Sequence, residues 1–221
     1  KTDNGYPYYT NSNGQPYFMC EYAHAMGNAV GNLQEYWDAI ESSKYGIGGC
    51  IWDWVDQAIV SYEDQKAGNL KVNGYNKYRN GNDYPQAPHQ GNFVNNGIIT
   101  SDRQPTGKLA EVKRIYQYIK FGTLNKTAKT FTLTNKYEAI NLEGMILNWQ
   151  LLLNGAEVEE GSTTLPSIAS GKSQSIDINY GDVSGEGEYL LNVAVCLPEA
   201  TSWAQAGHAI ANTQYAISQR T

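Results

Sequence analysis

The chain has 221 residues, 41% of them hydrophobic, which is enough for one or two domains with real cores. Its formal net charge is −6, with acids and bases interspersed. There is no basic patch and no RNA-type aromatic motif, so nucleic acid is excluded as an expected partner. No apolar run approaches the ~20 residues a membrane-spanning helix needs, so no membrane partner is expected either.

Tyrosine and tryptophan (17 and 5) far outnumber phenylalanine (4). Flat rings with polar edges suit sugar surfaces and β-sheet surfaces equally. The start, KTDNGYPYYT, is polar, resembles no signal peptide and lacks an initiating Met. The expectation is a cut within a longer protein. Cys20, Cys50 and Cys196 lie scattered in apolar, strand-like settings without metal-ligand spacing. They read as buried free thiols, favouring a reducing compartment, cytoplasmic rather than periplasmic.

In chain order, residues 1–16 read as an irregular lead-in rich in Gly, Asn, Pro and Tyr. Residues 17–21 read as a buried strand ending in a carboxylate, Glu21, with His24 three residues on and Gly27-Asn28 as a break. A carboxylate buried there costs several kcal/mol unless it is paired or used. Leu33, Tyr36, Trp37 and Ile40 recur at helical spacing, and the helix is expected to reach about Ser43. Gly46, Gly48 and Gly49 then lead into a second buried strand over Cys50, Ile51, Trp52, Asp53, Trp54 and Val55. Strand, helix, strand predicts a βαβ unit with parallel strands and a right-handed crossover.

Residues 56–104 form a long, aperiodic segment, a length that is usually functional. From Pro105, the positions Leu109, Val112, Tyr116 and Ile119 predict a further helix. The pattern is that of the last quarter of a (β/α)8 barrel, in which functional side chains sit where strands end and loops begin.

After about Lys120 the texture changes. Phe131 and Leu133 alternate with Thr; Ile146–Leu153 is a strong strand ending in the turn Asn154-Gly155; Ser175–Asn179, Tyr189–Cys196 and Gln214–Ile217 are further alternating runs. They predict an antiparallel, immunoglobulin-like β-sandwich of roughly 100 residues. The fold class is therefore α/β plus all-β. Residues 1–120 are expected to form part of a barrel and 121–221 the sandwich.

CEYAHAMGN (Cys20 to Asn28) followed by GGCIWDWVDQ closely resembles the large bacterial β-galactosidases of glycoside hydrolase family 2. The similarity continues through FVNNGIITSDRQPTGKLAEVKR and into LPEATSWAQAGHAIA, so it covers nearly the whole chain. The resemblance implies hydrolysis of β-galactosides with Glu21 as catalytic nucleophile. It also implies sugar contacts from His24 and Trp52, and a sodium site built from the Phe93 carbonyl and the Asn96 side-chain oxygen. Mg²⁺ and Na⁺ would serve the parent enzyme, itself a homo-oligomer, with the acid/base Glu and the magnesium ligands on earlier strands absent from this chain. One departure is YRNGNDYPQAPHQGN (Tyr78 to Asn92), which replaces the family's Gly-Gly-Asp-Phe-Gly-Asp stretch and bears on the aglycone side.

Each of these residues also has a bland alternative. Glu21 could be a structural acid paired with Arg or Lys, His24 a loop-fixing histidine, Trp52 a core residue and Asn96 a turn residue. Asp53 and Asp56 read as local hydrogen-bonding or salt-bridging groups rather than a catalytic pair. A whole barrel takes about 250 residues. On this reading the chain cannot close one, exposes strand edges and apolar faces, and is expected to be inactive alone. The rival from another class is a non-catalytic carbohydrate-binding or oligomer-assembly module centred on residues 122–221, where Trp149 and Trp203 stand far apart in sequence.

Overall fold

The computed structural model describes residues 14–73, 75–183 and 185–218, so most of the expected lead-in lies outside the described residues. The chain divides into two compact units, Lys1–Ile115 and Tyr116–Thr221.

In the first unit, β1 (Tyr17–Tyr22) and β2 (Gly46–Ile51) pair in parallel across α1 (Leu33–Ser42), which is the expected βαβ unit. The apolar spacing of α1 is the cause of its docking: Leu33 and Ile40 are buried, and Tyr36 meets Tyr22 edge-on at 5.5 Å. Ser43 ends the helix, its Oγ accepting from the amides of Tyr45 and Gly46 at 3.1 and 3.0 Å. The glycines of β2 serve close packing. A Cβ at Gly49 would sit 2.9 Å from the Met19 carbonyl oxygen and 3.2 Å from the Tyr22 ring. This is why β2 includes residues that resemble a loop by composition.

Three expectations need correcting here. The second strand begins at Gly46 and stops at Ile51, so Trp52–Val55 lie beyond it. β1 and β2 are not buried: Phe18 is 49% exposed and Ile47 63%. Cys20 and Cys50 are exposed thiols, and only Cys196 is buried. The compartment argument from buried thiols therefore keeps one cysteine of three.

The segment 56–104 carries α2 (Tyr62–Lys66), the two-residue hairpin strands β3 (Lys71–Val72) and β4 (Tyr75–Asn76), and 3-10 turns at Gly81–Asp83 and Gly91–Val94. α3 (Gly107–Ile115) ends earlier than its periodicity suggests, because Ile119 belongs to the next unit as the start of β5 (Ile119–Phe121). The described residues contain no closed barrel.

The second unit is a sandwich of antiparallel sheets. One carries β5, β6 (Thr130–Asn135) and β9 (Ser173–Asp177) in the order β5-β6-β9. The other carries β7 (Ile146–Leu153), β8 (Ala156–Thr164), β10 (Tyr189–Cys196) and β11 (Ala209–Ser218) in the order β11-β10-β7-β8. Period-two alternation builds the core: Leu147, Trp149 and Leu151 from β7, and Leu191, Val193 and Val195 from β10, meet Phe131, Leu133 and Ile176. Each such side chain contributes about 1.5–3 kcal/mol on full burial. β7 and β8 are joined by Asn154 and Gly155, both at positive φ (52° and 85°), as a two-residue hairpin turn requires. Gly161 on β8 leaves room for the Trp149 indole, which a Cβ there would strike.

Asn135 is the polar keystone of the sandwich. It is fully buried, and its Nδ2 donates to the carbonyls of Ile140 (2.6 Å) and Ile168 (2.9 Å). Its Oδ1 accepts from the Tyr137 amide at 2.9 Å. Replacing it removes three hydrogen bonds from the fully buried side chain at once, each worth about 0.5–1.5 kcal/mol. Asn135→Ala is therefore expected to lower the sandwich's unfolding free energy by at least ~2 kcal/mol, measured by denaturant melting of the chain.

A second prediction concerns α2. The Lys77 ammonium, hydrogen-bonded at 2.8 Å, is the main cause holding the Asp64 carboxyl below its ordinary range, followed by the Ser61 hydroxyl, which donates to it at 3.0 Å. A depressed native pKa gives stabilisation that is complete above the unfolded value and lost as pH falls through the native one. Amide exchange over Ser61–Ala67 should hence accelerate below about pH 4, beyond the intrinsic pH effect, and Asp64→Asn should remove that acceleration.

Candidate functional site

Hydrogen bonds that continue beyond the end of β2 gather the site. The Trp52 amide donates to the Tyr22 carbonyl at 2.9 Å, and the Ala25 amide returns to the Trp52 carbonyl at 2.8 Å. One step on, the Asp53 amide donates to the Asn96 carbonyl at 2.6 Å and the Ile98 amide to the Asp53 carbonyl at 2.9 Å. Val55 and Ile99 then bridge in parallel. Residues 96–99 thus lie alongside 53–56 as a short continuation of the parallel array. Gly97 is essential there, since a Cβ would strike the backbone of Val55 and Asp56.

Glu21 stands one residue before the end of β1, and His24 lies in the turn after it, where Ala23 takes a left-handed φ of 50°. That turn brings His24 Nε2 within 2.8 Å of Glu21 Oε1. The pair is open to solvent, with side chains 43% (Glu21) and 41% (His24) exposed. The carboxylate is therefore paired with a histidine rather than with Arg or Lys, and it is not buried as the apolar flank suggests.

The His24 ring is the hub. Its centroid lies 6.3 Å from that of Trp52 and 6.3 Å from that of Phe93. A carboxylate, an imidazole and two aromatic rings drawn from three separate stretches share one surface, a combination suited to holding a polyhydroxylated ring. Asn96 joins through its carbonyl bond to Asp53, and its side chain is buried with Oδ1 accepting no hydrogen bond. An unpaired buried oxygen is costly unless something occupies it, and an oxygen donor of this kind fits a hard cation such as Na⁺. Trp52 Nε1 is likewise buried without an acceptor. The five residues singled out in the sequence are thus brought together, Glu21, His24, Trp52 and Phe93 by side chain and Asn96 through the backbone.

The loop before Phe93 folds back on itself. Asn80 caps the 3-10 turn Gly81–Asp83 in a capping box, and a Cβ at Gly81 would meet His89 Cβ at 2.6 Å and the Gly91 amide nitrogen at 3.0 Å. Asp53 and Asp56 act locally. Asp53 accepts from the Trp54 amide at 2.5 Å and from Gln57 Nε2, and Asp56 Oδ1 accepts from the Gly97 amide at 2.7 Å. A cleft of about 530 Å³ runs beside them, lined in part by Trp54, Gln57, Tyr78 and Arg103, and none of the five site residues lines it.

Sequence reasoning missed Lys108. From α3 it donates to the Ala25 carbonyl at 2.6 Å, tying the turn that carries His24 to the helix. A lysine on an amphipathic helix reads as a solvated residue, and only the fold shows its acceptor.

A family model described as "Glycosyl hydrolases family 2, TIM barrel domain" matches residues 4–121, and one described as "Beta-galactosidase, domain 4" matches residues 131–218. A beta-galactosidase of Photobacterium profundum is 37% identical over 207 residues, and one of Priestia megaterium 32% identical over 206. Each alignment covers 92% of this chain and 19% of the relative, so the chain spans about one fifth of their length. A solved structure, an exo-chitosanase of Amycolatopsis orientalis complexed with PNP-β-D-glucosamine, aligns over 84% of this chain and 18% of its own. Its identity is 11% and its TM-score 0.36. With more than half of its residues matched by that family's barrel model, the chain belongs to glycosyl hydrolases family 2.

Proposed function

We propose that the chain is the nucleophile-bearing part of a retaining glycoside hydrolase that cleaves terminal β-D-galactosides. One observation carries this reading: Glu21, near the end of a parallel strand, is paired at 2.8 Å with His24, whose ring lies 6.3 Å from those of Trp52 and Phe93. In a retaining mechanism two carboxyl groups flank the glycosidic bond about 5–5.5 Å apart. A Glu21 oxygen attacks the anomeric carbon as the bond to the aglycone oxygen breaks, which gives a covalent galactosyl-enzyme. Water then displaces Glu21 and releases galactose with retained configuration.

In this reading His24 orients the attacking carboxylate, to which its Nε2 is paired at 2.8 Å, and hydrogen-bonds a sugar hydroxyl. Trp52 offers an apolar face to the ring. The Phe93 carbonyl and Asn96 Oδ1 would hold Na⁺, which when bound would supply a positive charge for a sugar hydroxyl. We assign neither magnesium ligands nor the general acid to this chain. The sandwich is immunoglobulin-like in this reading and carries no catalytic group.

A nucleophile without its acid partner leaves the aglycone oxygen unprotonated. The 221-residue chain is therefore expected to hydrolyse an aryl β-galactoside, with Mg²⁺ and Na⁺ present, no faster than its Glu21→Gln variant. In the longer galactosidase carrying this sequence, the same substitution is expected to reduce turnover roughly 10⁴-fold or more. Turnover by the chain alone that Glu21→Gln abolishes would contradict the division of groups. Undiminished turnover of the longer variant would contradict the role of Glu21.

A further inference from the structure

The start of α3 holds both flanks of the Trp52–Asp53 step. Ala25 lies on one side and Ile98 on the other, and each is fully buried. Their amides donate to consecutive carbonyls, Ala25 to Trp52 at 2.8 Å and Ile98 to Asp53 at 2.9 Å. Their own carbonyls are both taken by side chains from one short stretch. Lys108 Nζ donates to the Ala25 carbonyl at 2.6 Å, and Thr106 Oγ1 donates to the Ile98 carbonyl at 2.7 Å. The Thr106 hydroxyl also accepts from the Lys108 amide at 3.2 Å, which fixes the two donors to one another. Ala25 directly follows His24, and Ile98 lies two residues after Asn96.

We infer that Lys108 is a positioning residue for the reaction at Glu21: with Thr106 it forms a clasp that sets the His24 turn against the Asn96 stretch. The inference rests on the reading of Glu21 as nucleophile. Lys108 acts through Ala25 rather than on the sugar. A charged donor to a carbonyl is roughly twice as strong as a neutral one, and no solvent reaches Ala25 to replace it. Removing the ammonium leaves a buried carbonyl unsatisfied, which the turn can relieve only by shifting. His24 is the next residue along, so a shift there passes to the 2.8 Å pairing of its Nε2 with Glu21 Oε1. Displacing a reacting group by about 1 Å can cost about 10²-fold in rate. The Thr106 side of the clasp keeps α3 itself from following the turn, because Ile98 is held in the array with Asp53.

The test uses the longer galactosidase carrying this sequence, with Lys108→Met, Lys108→Arg and Glu21→Gln beside the parent. Met keeps the length of the stem and loses the donor; Arg keeps a charged donor of similar reach. In Lys108→Met, kcat and kcat/KM for an aryl β-galactoside should fall together, roughly 10-fold, with KM little changed. Peptide-resolved amide exchange over residues 23–28 should quicken in that variant, while exchange over Tyr189–Cys196 stays as in the parent. Lys108→Arg should recover both readouts. Full turnover of Lys108→Met beside an inactive Glu21→Gln would overturn the inference alone. So would a loss confined to KM, a loss that Lys108→Arg does not recover, or exchange that quickens equally over Tyr189–Cys196. Undiminished turnover of Glu21→Gln would overturn the reading of Glu21, and this inference with it.

Discussion

Everything at the candidate site depends on backbone hydrogen bonds that outlast the strands they extend. β2 ends at Ile51, yet the amides and carbonyls of Trp52 and Asp53 remain paired, on one side to Tyr22 and Ala25 and on the other to Asn96 and Ile98. Two glycines permit it: Gly49 lets β2 lie against Met19 and Tyr22, and Gly97 lets 96–99 lie against Val55 and Asp56. A methyl group at either position would meet backbone rather than a yielding side chain. The site is thus positioned by main chain, and its side chains follow from where that main chain leaves them.

The same logic explains why an open surface can still be specific. Glu21 and His24 are well exposed, but Glu21 is held in β1 and His24 in a turn whose far end is fixed. Ala25 is fully buried, bonded through its amide to Trp52 and through its carbonyl to Lys108. The Asp56 carboxylate performs the matching task on the far side by accepting from Gly97. Exposed chemical groups on buried anchors are what a surface site needs if it is to act as one wall of a larger pocket.

Much of the sandwich was legible because local and tertiary demands agree there. Ile146–Leu153 and Tyr189–Cys196 alternate cleanly, and the structure has strands over those residues, with Asn154-Gly155 as the turn. β8 escaped notice: AEVEEGSTT is an exposed edge strand, without the apolar beat that marks a buried face. In the first unit, propensity misled where packing overrode it. Gly46–Gly49 resembles a loop and is a strand, whereas Trp52–Val55 resembles a strand and lies beyond one. The helical period continued to Ile119 because a strand residue happened to fall on beat. Glu21, His24, Trp52, Phe93 and Asn96 were found through motifs. Their meeting around the His24 ring was not readable, because it depends on pairings about 30–70 residues apart.

Hydrogen exchange of individual backbone amides in the chain tests this account most directly. The amides of Ala25, Trp52, Asp53 and Ile98 should be protected, and they should lose protection together as denaturant is raised, since one array holds them. Exchange of these four at free-chain rates, while the amides of Leu191 and Val193 in the sandwich stay protected, would contradict the claim that main-chain pairing assembles the site.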